Sequence, residues 1–237
     1  MLCLLAFPAL SARAEECPGV AATLDANGTK LANLESRADR VLDILAIGSS
    51  STEGVGASSP AYAYPAQLAD ELSKKDGIPA LVRNAGVGGE LAARTLQRLK
   101  AALKAGWPEL VIWQVGTNDA LVGVDEPLFR ATIESGIAAA RAAGVPLLLV
   151  DPQFTAKIPD VARYERFVAI VDGIGEQLRV PVLSRYAMMK RRGKNALALL
   201  SADGLHMNDL GYRCLAHAIA EEIEGAAEVG GRPAAKL

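Results

Sequence analysis

The sequence predicts a three-layer α/β/α sandwich around a parallel β-sheet of about five strands. Short apolar runs recur along the 237-residue chain, and longer segments with the spacing of amphipathic helices lie between them. The runs are continuously apolar instead of alternating, which is typical of strands whose two faces are both buried in a parallel sheet. Alternation of such strands with helices is the pattern of α/β layering.

The predicted strands are short, and most of them are rich in leucine and β-branched residues. They are Val41–Ile47, Ala80–Val82, Leu110–Val115, Val145–Val150 and Val180–Leu183. Between them, apolar residues recur at intervals of three or four, as on one face of a helix. The predicted helices are Gly28–Arg40, Ala66–Lys75, Leu91–Ala105, Phe129–Ala143, Tyr164–Leu178 and Asp209–Glu224.

Residues 1–14 are predicted to be a signal peptide, followed by a single domain over residues 15–237. Leu2–Leu10 is apolar, and the Ala-Arg-Ala that follows has the small-residue pattern of a cleavage site. The run is too short to span a bilayer, which takes roughly 20 residues. No Lys or Arg precedes it, and a buried N-terminal strand or helix is the alternative. The pattern favours an exported protein, periplasmic or secreted, without stable membrane insertion.

The composition excludes several classes of function. The 25 basic and 27 acidic residues leave a formal net charge of −2, which disfavours a nucleic-acid partner because few phosphate contacts are available. The chain has 2 histidines, so a histidine-rich metal site is excluded and we expect no cofactor. His217 lies in the apolar stripe of the last predicted helix, which leaves His206 as the candidate for chemistry. The sequence carries no signal for an oligomeric state.

The cysteines indicate a disulfide bond. Cleavage after Ala14 removes Cys3 and leaves Cys17 and Cys214 as the remaining pair. An even number of cysteines in an exported protein favours a bond between them. Two buried free thiols are the alternative.

Polar and glycine-rich segments follow the predicted strands, at the edge where ligands bind in parallel α/β sheets. They are Gly48–Gly54, Asn84–Glu90, Gly116–Asp119 and Asp151–Phe154, and Asp203–His206 precedes the last helix. Each has an ordinary interpretation, because serines cap helices, glycines form turns, and an Asp-x-x-His pair often begins a helix. None matches a phosphate-binding glycine loop, and too few histidines are present for a metal site.

Together, these segments contain the parts of a serine hydrolase. Such an enzyme needs a serine on a tight turn, an imidazole that accepts its proton, a carboxylate that orients the imidazole, and donors for the oxyanion. The serine run Ser49–Ser51 supplies the first part, and Asp203 and His206 supply the next two. The side chain of Asn118 and the N–H groups of the glycines between residues 86 and 89 supply the donors.

The order of these segments resembles the SGNH, or GDSL-type, hydrolases. Four family blocks appear in order across about 160 residues: Gly-Ser-Ser in place of Gly-Asp-Ser, then Asn-x-x-x-x-Gly, Gly-Thr-Asn-Asp and Asp-x-x-His. The resemblance implies a flavodoxin-like sheet and a catalytic triad of Ser50, His206 and Asp203. It also implies an oxyanion hole formed by the same serine with Gly89 and Asn118.

Two positions depart from the family pattern. Ser49 stands where an aspartate usually precedes the nucleophile, and Met207 stands where a proline often follows the catalytic histidine. The resemblance implies that the first change alters activity or its pH dependence, because that carboxylate helps to hold the site together. The second change adjusts only the loop. The triad and the oxyanion donors are intact, so we expect an active enzyme.

The expected export points to an ester substrate, either a small molecule or an acylated polysaccharide. Phe154, Tyr62 and Tyr64 are candidates for lining an acyl pocket, with ordinary packing as the alternative. The chain has 5% aromatic residues and no long insertion that indicates a lid, which favours a short-chain esterase or a carbohydrate O-acetylesterase. The alternatives are a lipase- or thioesterase-like acylhydrolase, an acyltransferase, and a non-catalytic envelope-binding module.

Overall fold

A parallel β-sheet lies at the centre of the protein. The computed structural model describes Cys17 and residues 41–74, 78–155 and 157–230. In these residues the strands are β1 (Leu42–Gly48), β2 (Ala80–Gly86), β3 (Leu110–Gln114), β4 (Leu147–Val150) and β5 (Val182–Leu183). They pair in parallel in the order β2–β1–β3–β4–β5, which is the flavodoxin-like order.

Helices follow the strands and cover both faces of the sheet. Their bounds are α1 (Ser50–Glu53), α2 (Tyr64–Lys74), α3 (Ala92–Ala105), α4 (Thr117–Val122), α5 (Glu126–Ala142), α6 (Val161–Leu178), α7 (Arg185–Lys190) and α8 (Asp209–Gly230). Short 3₁₀ helices lie at Pro60–Tyr62 and Gly193–Leu199. The α/β/α sandwich predicted from the sequence is confirmed.

Alternate side chains of the strands enter two separate hydrophobic cores. Ile44 and Ala46 of β1 share one core with Leu68 of α2 and with the apolar face of α8. Leu45 and Ile47 share the other core with α3, α5 and α6. These β1 side chains are at most 2% exposed. Burial on both faces explains why the strand is continuously apolar.

The strand β2 differs from the prediction because it lies at the edge of the sheet. In the part of the chain that the structure describes, it pairs with β1 only, and Leu81 is 46% exposed. It also continues past the predicted end at Val82, because its pairing with β1 extends to the Gly48–Gly86 pair.

The predicted helix over Gly28–Arg40 and the predicted signal peptide over residues 1–14 lie outside the described residues. Among the helices that the structure describes, none has both the length and the apolar character that crossing a membrane requires.

A disulfide bond joins Cys17 to Cys214 of α8, across a separation of 197 residues. Both cysteines are buried, with exposures of 6% and 0%. The bond therefore attaches an N-terminal residue to a helix that belongs to the core. Because the closed loop is long, the bond restricts the unfolded chain strongly, and native disulfides of this kind contribute about 2–5 kcal/mol of stability.

Candidate active site

The turn after β1 presents the hydroxyl of Ser50 at the carboxyl edge of the sheet. Ser49 has non-helical backbone angles (φ −101°, ψ −146°), and its carbonyl accepts the N–H groups of Thr52 and Glu53 at 3.0 Å. The helix α1 therefore begins at Ser50 directly after the strand. Gly54 ends it after one turn in the left-handed conformation (φ +105°). Ser50 is half-buried, whereas the next two residues are buried.

A glycine at the end of β2 allows α1 to pack closely against the sheet. A Cβ at Gly86 would lie 1.9 Å from the backbone nitrogen of Glu53. The Asn84 side chain completes the contact, because its amide donates to Glu53 O at 3.3 Å and its Oδ1 accepts from Gly86 N at 2.9 Å. The loops after β1 and β2 are therefore in direct contact.

A chain of hydrogen bonds joins Asp203, His206 and Ser50. The Nε2 atom of His206 lies 2.9 Å from Ser50 Oγ, and its Nδ1 atom lies 2.6 Å from Asp203 Oδ2. Ser50 and His206 are 156 residues apart, so the order of the strands brings them together. In this arrangement the imidazole can accept a proton from the serine while the carboxylate fixes its orientation.

The second carboxylate oxygen of Asp203 holds the turn that carries His206. It accepts hydrogen bonds from Ser201 Oγ at 2.8 Å, Leu205 N at 2.8 Å and His206 N at 2.9 Å. Partial desolvation favours the neutral acid, but these bonds and the imidazole contact outweigh it. The pKa of Asp203 therefore lies well below its ordinary value, and the carboxylate stays ionised at neutral and mildly acidic pH.

Asn118 and Gly89 lie where the loops after β2 and β3 meet. Asn118 is in the first turn of α4, and its Nδ2 donates to Glu90 O at 2.9 Å. The amide has a second N–H, so it can donate to an oxyanion while it holds the Glu90 carbonyl. Gly89 has a φ of +77°, and a Cβ there would meet nothing within 4 Å. Its left-handed backbone, and not lack of space, favours glycine.

Residues 16–229, which are most of the chain, match the model of one protein family. The chain belongs to the non-GDSL lipase-like family. It is an SGNH-type hydrolase that acts on ester bonds.

The chain is similar to hydrolases in sequence and in fold. The chain is 30% identical over 151 residues to thioesterase 1/protease 1/lysophospholipase L1 of Escherichia coli strain K12, with 63% of this chain and 69% of that protein covered. Its fold is similar to the lipase/acylhydrolase from Enterococcus faecalis, with a TM-score of 0.70 and 24% identity over 78% of this chain and 96% of that one. It is also similar to a two-domain esterase active on acetylated mannans, with a TM-score of 0.67 and 19% identity over 86% of this chain and 56% of that one.

In this non-GDSL hydrolase, Ser49 stands where the family pattern has an aspartate before the predicted nucleophile, and its partner is an uncharged amide. Gln114, buried at the end of β3, accepts with its Oε1 from Ser49 N at 3.1 Å, Ser49 Oγ at 3.2 Å and Thr52 Oγ1 at 3.4 Å. Its contact is close because Gly48 has no side chain; a Cβ there would lie 2.8 Å from the same oxygen. The turn is thus anchored to β3. The sequence shows that the aspartate is missing but contains no motif that identifies Gln114 as the hydrogen-bond partner of Ser49.

Arg98 of α3 fastens the loops after β1 and β2 to each other. Its guanidinium donates to Ala85 O at 2.7 Å and to Gly48 O at 3.2 Å. It also pairs with Glu90 Oε2, at 2.9 Å from Nε and 2.5 Å from Nη2. The same Glu90 accepts from Asn118 through its backbone oxygen. Arg98 therefore supports the loop that contains Gly89, although no sequence motif marks it.

Asp119 links α4 to the start of α3. Its two carboxylate oxygens lie 3.1 and 3.2 Å from Ala92 N. Burial disfavours the charged form and raises the pKa of Asp119 to about 6, partly offset by backbone hydrogen bonds that include the one from Ala92. This carboxyl group is therefore a structural partner of the helix start beside Asn118.

The predicted acyl-pocket residues occupy three different environments. Tyr62 is 43% exposed, whereas Phe154 is half-buried and packs against Tyr186 with ring centroids 5.9 Å apart. Tyr64 is fully buried with its hydroxyl 3.5 Å from Thr52 Oγ1, and burial raises the pKa of Tyr64 to about 12. The expectation that Tyr64 lines an open pocket is therefore corrected. As the first residue of α2, it lies in the core next to Thr52 of the turn after β1.

The imidazole of His217 contacts two glutamates and has a structural role. Its Nδ1 is 2.8 Å from Glu71 Oε1 of α2, and its Nε2 is 3.4 Å from Glu221 Oε1. The first contact joins α8 to α2, and the second lies within α8. Across the described residues, no group of three or more His, Cys, Asp or Glu side chains could hold a metal ion.

The depressed pKa of Asp203 predicts a pH-dependent contribution to stability. A carboxylate whose pKa is lowered by folding stabilises the protein above its unfolded pKa of about 3.9, and this contribution is lost as the pH falls through the folded pKa. We expect the difference in free energy of unfolding between the wild type and Asp203→Asn to decrease as the pH falls from 5 to 3. Denaturant unfolding at each pH measures it.

The matched control for this prediction is Asp70→Asn. Asp70 forms an exposed pair with Lys74 at 2.8 Å, which contributes little to stability. Equal slopes for the two variants over this pH range would contradict the assignment of the Asp203 hydrogen bonds.

Proposed function

We propose that this hydrolase cleaves its ester substrate through Ser50, His206 and Asp203. The observation that carries the proposal is the continuous chain of hydrogen bonds from the Asp203 carboxylate through the imidazole to the serine hydroxyl. The location of these three residues at the carboxyl edge of the sheet also supports the proposal, because ligands of open α/β sheets bind there.

In the proposed reaction, Ser50 Oγ attacks the ester carbonyl carbon while its proton passes to His206 Nε2. The ionised Asp203 stabilises the resulting imidazolium. The oxyanion accepts hydrogen bonds from the N–H groups of Ser50 and Gly89 and from Asn118 Nδ2. The imidazolium then protonates the leaving alcohol as the C–O bond breaks, and an acyl-serine remains. Water attacks this second ester, with the imidazole again accepting the proton, and the carboxylic acid and the free serine are released.

The proposal predicts that Ser50→Ala loses kcat on the order of 10⁶-fold if the three residues act as a unit. Asn118→Ala removes one oxyanion donor and is expected to lose roughly 10²–10³-fold. Hydrolysis of p-nitrophenyl acetate measures both. Ser135→Ala, a serine of α5 bonded to Lys100 at 3.0 Å, is the matched control with unchanged kcat. Wild-type turnover in Ser50→Ala would overturn the proposed mechanism.

An open groove of about 570 Å³ lies beside the turn that carries His206. A Cβ at Gly56, which lines the groove, would lie 3.0 Å from His206 Cβ. The groove therefore adjoins residues 201–206, the turn that carries His206, which we name the catalytic turn. Its polar lining residues are Ser58, Ser201, Asn208 and Asp209. Hydrogen bonds within the protein already use their donors: Ser58 donates to Asp209, and Ser201 donates to Asp203. Asn208 donates to two backbone carbonyls. The remaining lone pairs of the hydroxyl and carboxylate oxygens can accept from an alcohol with many hydroxyl groups.

The substrate that we propose is therefore a short acyl ester of a carbohydrate. The similarity in fold to an esterase active on acetylated mannans supports this choice. A second candidate is an ester or thioester with a longer acyl chain. It is favoured by the 30% identity to the Escherichia coli thioesterase and lysophospholipase.

An acyl-chain series separates the two candidates. We expect kcat/KM for p-nitrophenyl esters to be highest with acetate and to fall through butyrate and octanoate. We also expect release of acetate from acetylated mannan oligosaccharides. Ser50→Ala provides the background rate for each substrate. A maximum at octanoate, with hydrolysis of lysophospholipid, would instead select the second candidate.

We further propose that the protein is exported and loses residues 1–14. The sequence pattern of this segment and the Cys17–Cys214 disulfide support the proposal, because disulfides persist mainly in oxidising compartments. We expect the exported protein to begin at Glu15 and to contain no free thiol. Mass spectrometry with and without reduction tests both points. A mature chain that retains Cys3 would contradict the predicted cleavage.

A further inference from the structure

The side chain of Gln153, in the loop after β4, spans the two segments that carry the reacting groups. Its Oε1 accepts from Ser51 Oγ and its Nε2 donates to Leu205 O, both at 2.5 Å. Ser51 directly follows Ser50, and Leu205 directly precedes His206. Gln153 is 1% exposed, so water does not compete for either bond.

Thr155 makes a second bond to the turn that carries the histidine. Its Oγ1 donates to Gly204 O at 2.6 Å and accepts from Lys157 N at 3.1 Å. Thr155 is 3% exposed. Two successive carbonyls of the catalytic turn, those of Gly204 and Leu205, therefore accept bonds from the same loop.

The loop itself is fixed at its root. The carboxylate of Asp151, which is 0% exposed, accepts from Tyr186 N at 2.9 Å and from Ser184 Oγ at 2.6 Å. The buried guanidinium of Arg185 donates to Asp151 O at 3.0 and 3.2 Å. Tyr164 of α6 donates to the backbone oxygen of Gln153 at 2.6 Å. The segment Asp151–Thr155 is thus attached to the core on several sides, and we name it the β4 strap.

The bonds within the catalytic turn cannot by themselves set the distance between its histidine and Ser50. Ser201 N donates to His206 O at 2.8 Å, and Gly204 N donates to Ser201 O at 3.0 Å. These bonds, like those to Asp203, hold the turn in shape but lie inside it. The bonds from the β4 strap cross from the turn to the rest of the molecule.

We propose that the β4 strap is a positioning element in which Gln153 and Thr155 hold the His206 imidazole within proton-transfer distance of Ser50. This inference rests on the proposed function, because it assigns the strap to the same reaction. Gln153 and Thr155 are positioning residues. They act through the backbone of the catalytic turn and through Ser51, and neither exchanges a proton with the substrate.

The effect of the strap is expected on kcat with little change in KM. A small displacement of a reacting group costs up to about 10²-fold in rate, whereas substrate binding does not require the proton-transfer distance. We expect Gln153→Leu to lower kcat by about 10- to 100-fold, with a change in KM of less than about threefold. The rate at which a fluorophosphonate labels Ser50 is expected to fall in parallel.

The matched control is Gln177→Leu, the same substitution at an exposed position near the end of α6. Because α6 runs antiparallel to the strands, this end lies at the edge of the sheet opposite the site. Thermal unfolding of both variants establishes that they are folded. A folded Gln153→Leu with wild-type kcat would overturn the proposal.

The threonine provides a test that does not depend on Gln153. Thr155→Val removes the hydroxyl with little change in shape, and we expect kcat to fall by about tenfold. Thr155→Ser retains the donor and is expected to restore kcat. Thr132→Val is the control, because its hydroxyl bonds Leu128 O within α5 at 2.8 Å. Equal kcat in the Val and Ser variants of Thr155 would contradict a role for its hydrogen bond.

Gln153→Glu adds a pH signature that simple loss of packing does not produce. The protonated carboxyl retains an O–H that can donate to Leu205 O, whereas the carboxylate has no donor. As the pH rises through the pKa of the introduced acid, kcat of Gln153→Glu relative to wild type is expected to fall. A ratio that is low and independent of pH would contradict the donor role.

The outcomes also separate this inference from the proposed function. Wild-type turnover in Ser50→Ala would overturn the mechanism itself. An inactive Ser50→Ala together with wild-type kcat in Gln153→Leu and Thr155→Val would overturn only the role of the β4 strap.

Discussion

The parallel pairing of β1 with β2 on one side and β3 on the other is the constraint on which the site depends. The register places Gly48 directly opposite Gly86, so both chains leave the sheet at the same level. The absence of side chains at these two positions allows α1, the loop after β2 and the end of β3 to touch. Groups that are distant in sequence then lie close together, because the carboxyl ends of parallel strands share one edge of the sheet.

Charge is distributed unevenly around this edge. Ser49 and Thr52, in the turn after β1, donate to the neutral amide oxygen of Gln114. A buried carboxylate at this place would need compensation by further partners. The negative charge of Asp203 instead lies in a side chain that is 42% exposed and is surrounded by hydrogen-bond donors. The anion of the site is thus stabilised without a fully buried ion pair. This arrangement places it beside the imidazole, where positive charge develops in the proposed reaction.

The order of the elements and the convergence of Ser50, Asn118 and His206 could be predicted from the sequence. Ser50 and Asn118 lie in the first turns of the helices that follow β1 and β3, and His206 lies shortly before the start of α8. A local sequence pattern marks each of these positions. Their catalytic roles remain predictions that the variants described above address. The edge position of β2 could not be predicted, because a short apolar run reads the same at an edge as at the centre of a sheet.

The supporting side chains were also not predictable. Gln114 lies within an apolar strand, and Arg98 lies on a helix whose pattern is dominated by leucines. Gln153 was visible as a residue after β4, but its two bonds reach across 102 and 52 residues of sequence. Such contacts depend on strand register and side-chain rotamers, which no local pattern encodes.

The wide separation of Ser50 and His206 has a consequence for synthesis. A growing polypeptide leaves the ribosome with its N-terminal part first, so the serine turn emerges long before His206, the proton acceptor of the proposed mechanism. A nascent chain that has already paired β1, β2 and β3 still lacks a proton acceptor for that serine. In the proposed mechanism, ester cleavage therefore begins only after nearly the whole domain has been translated, and incomplete chains do not cleave esters.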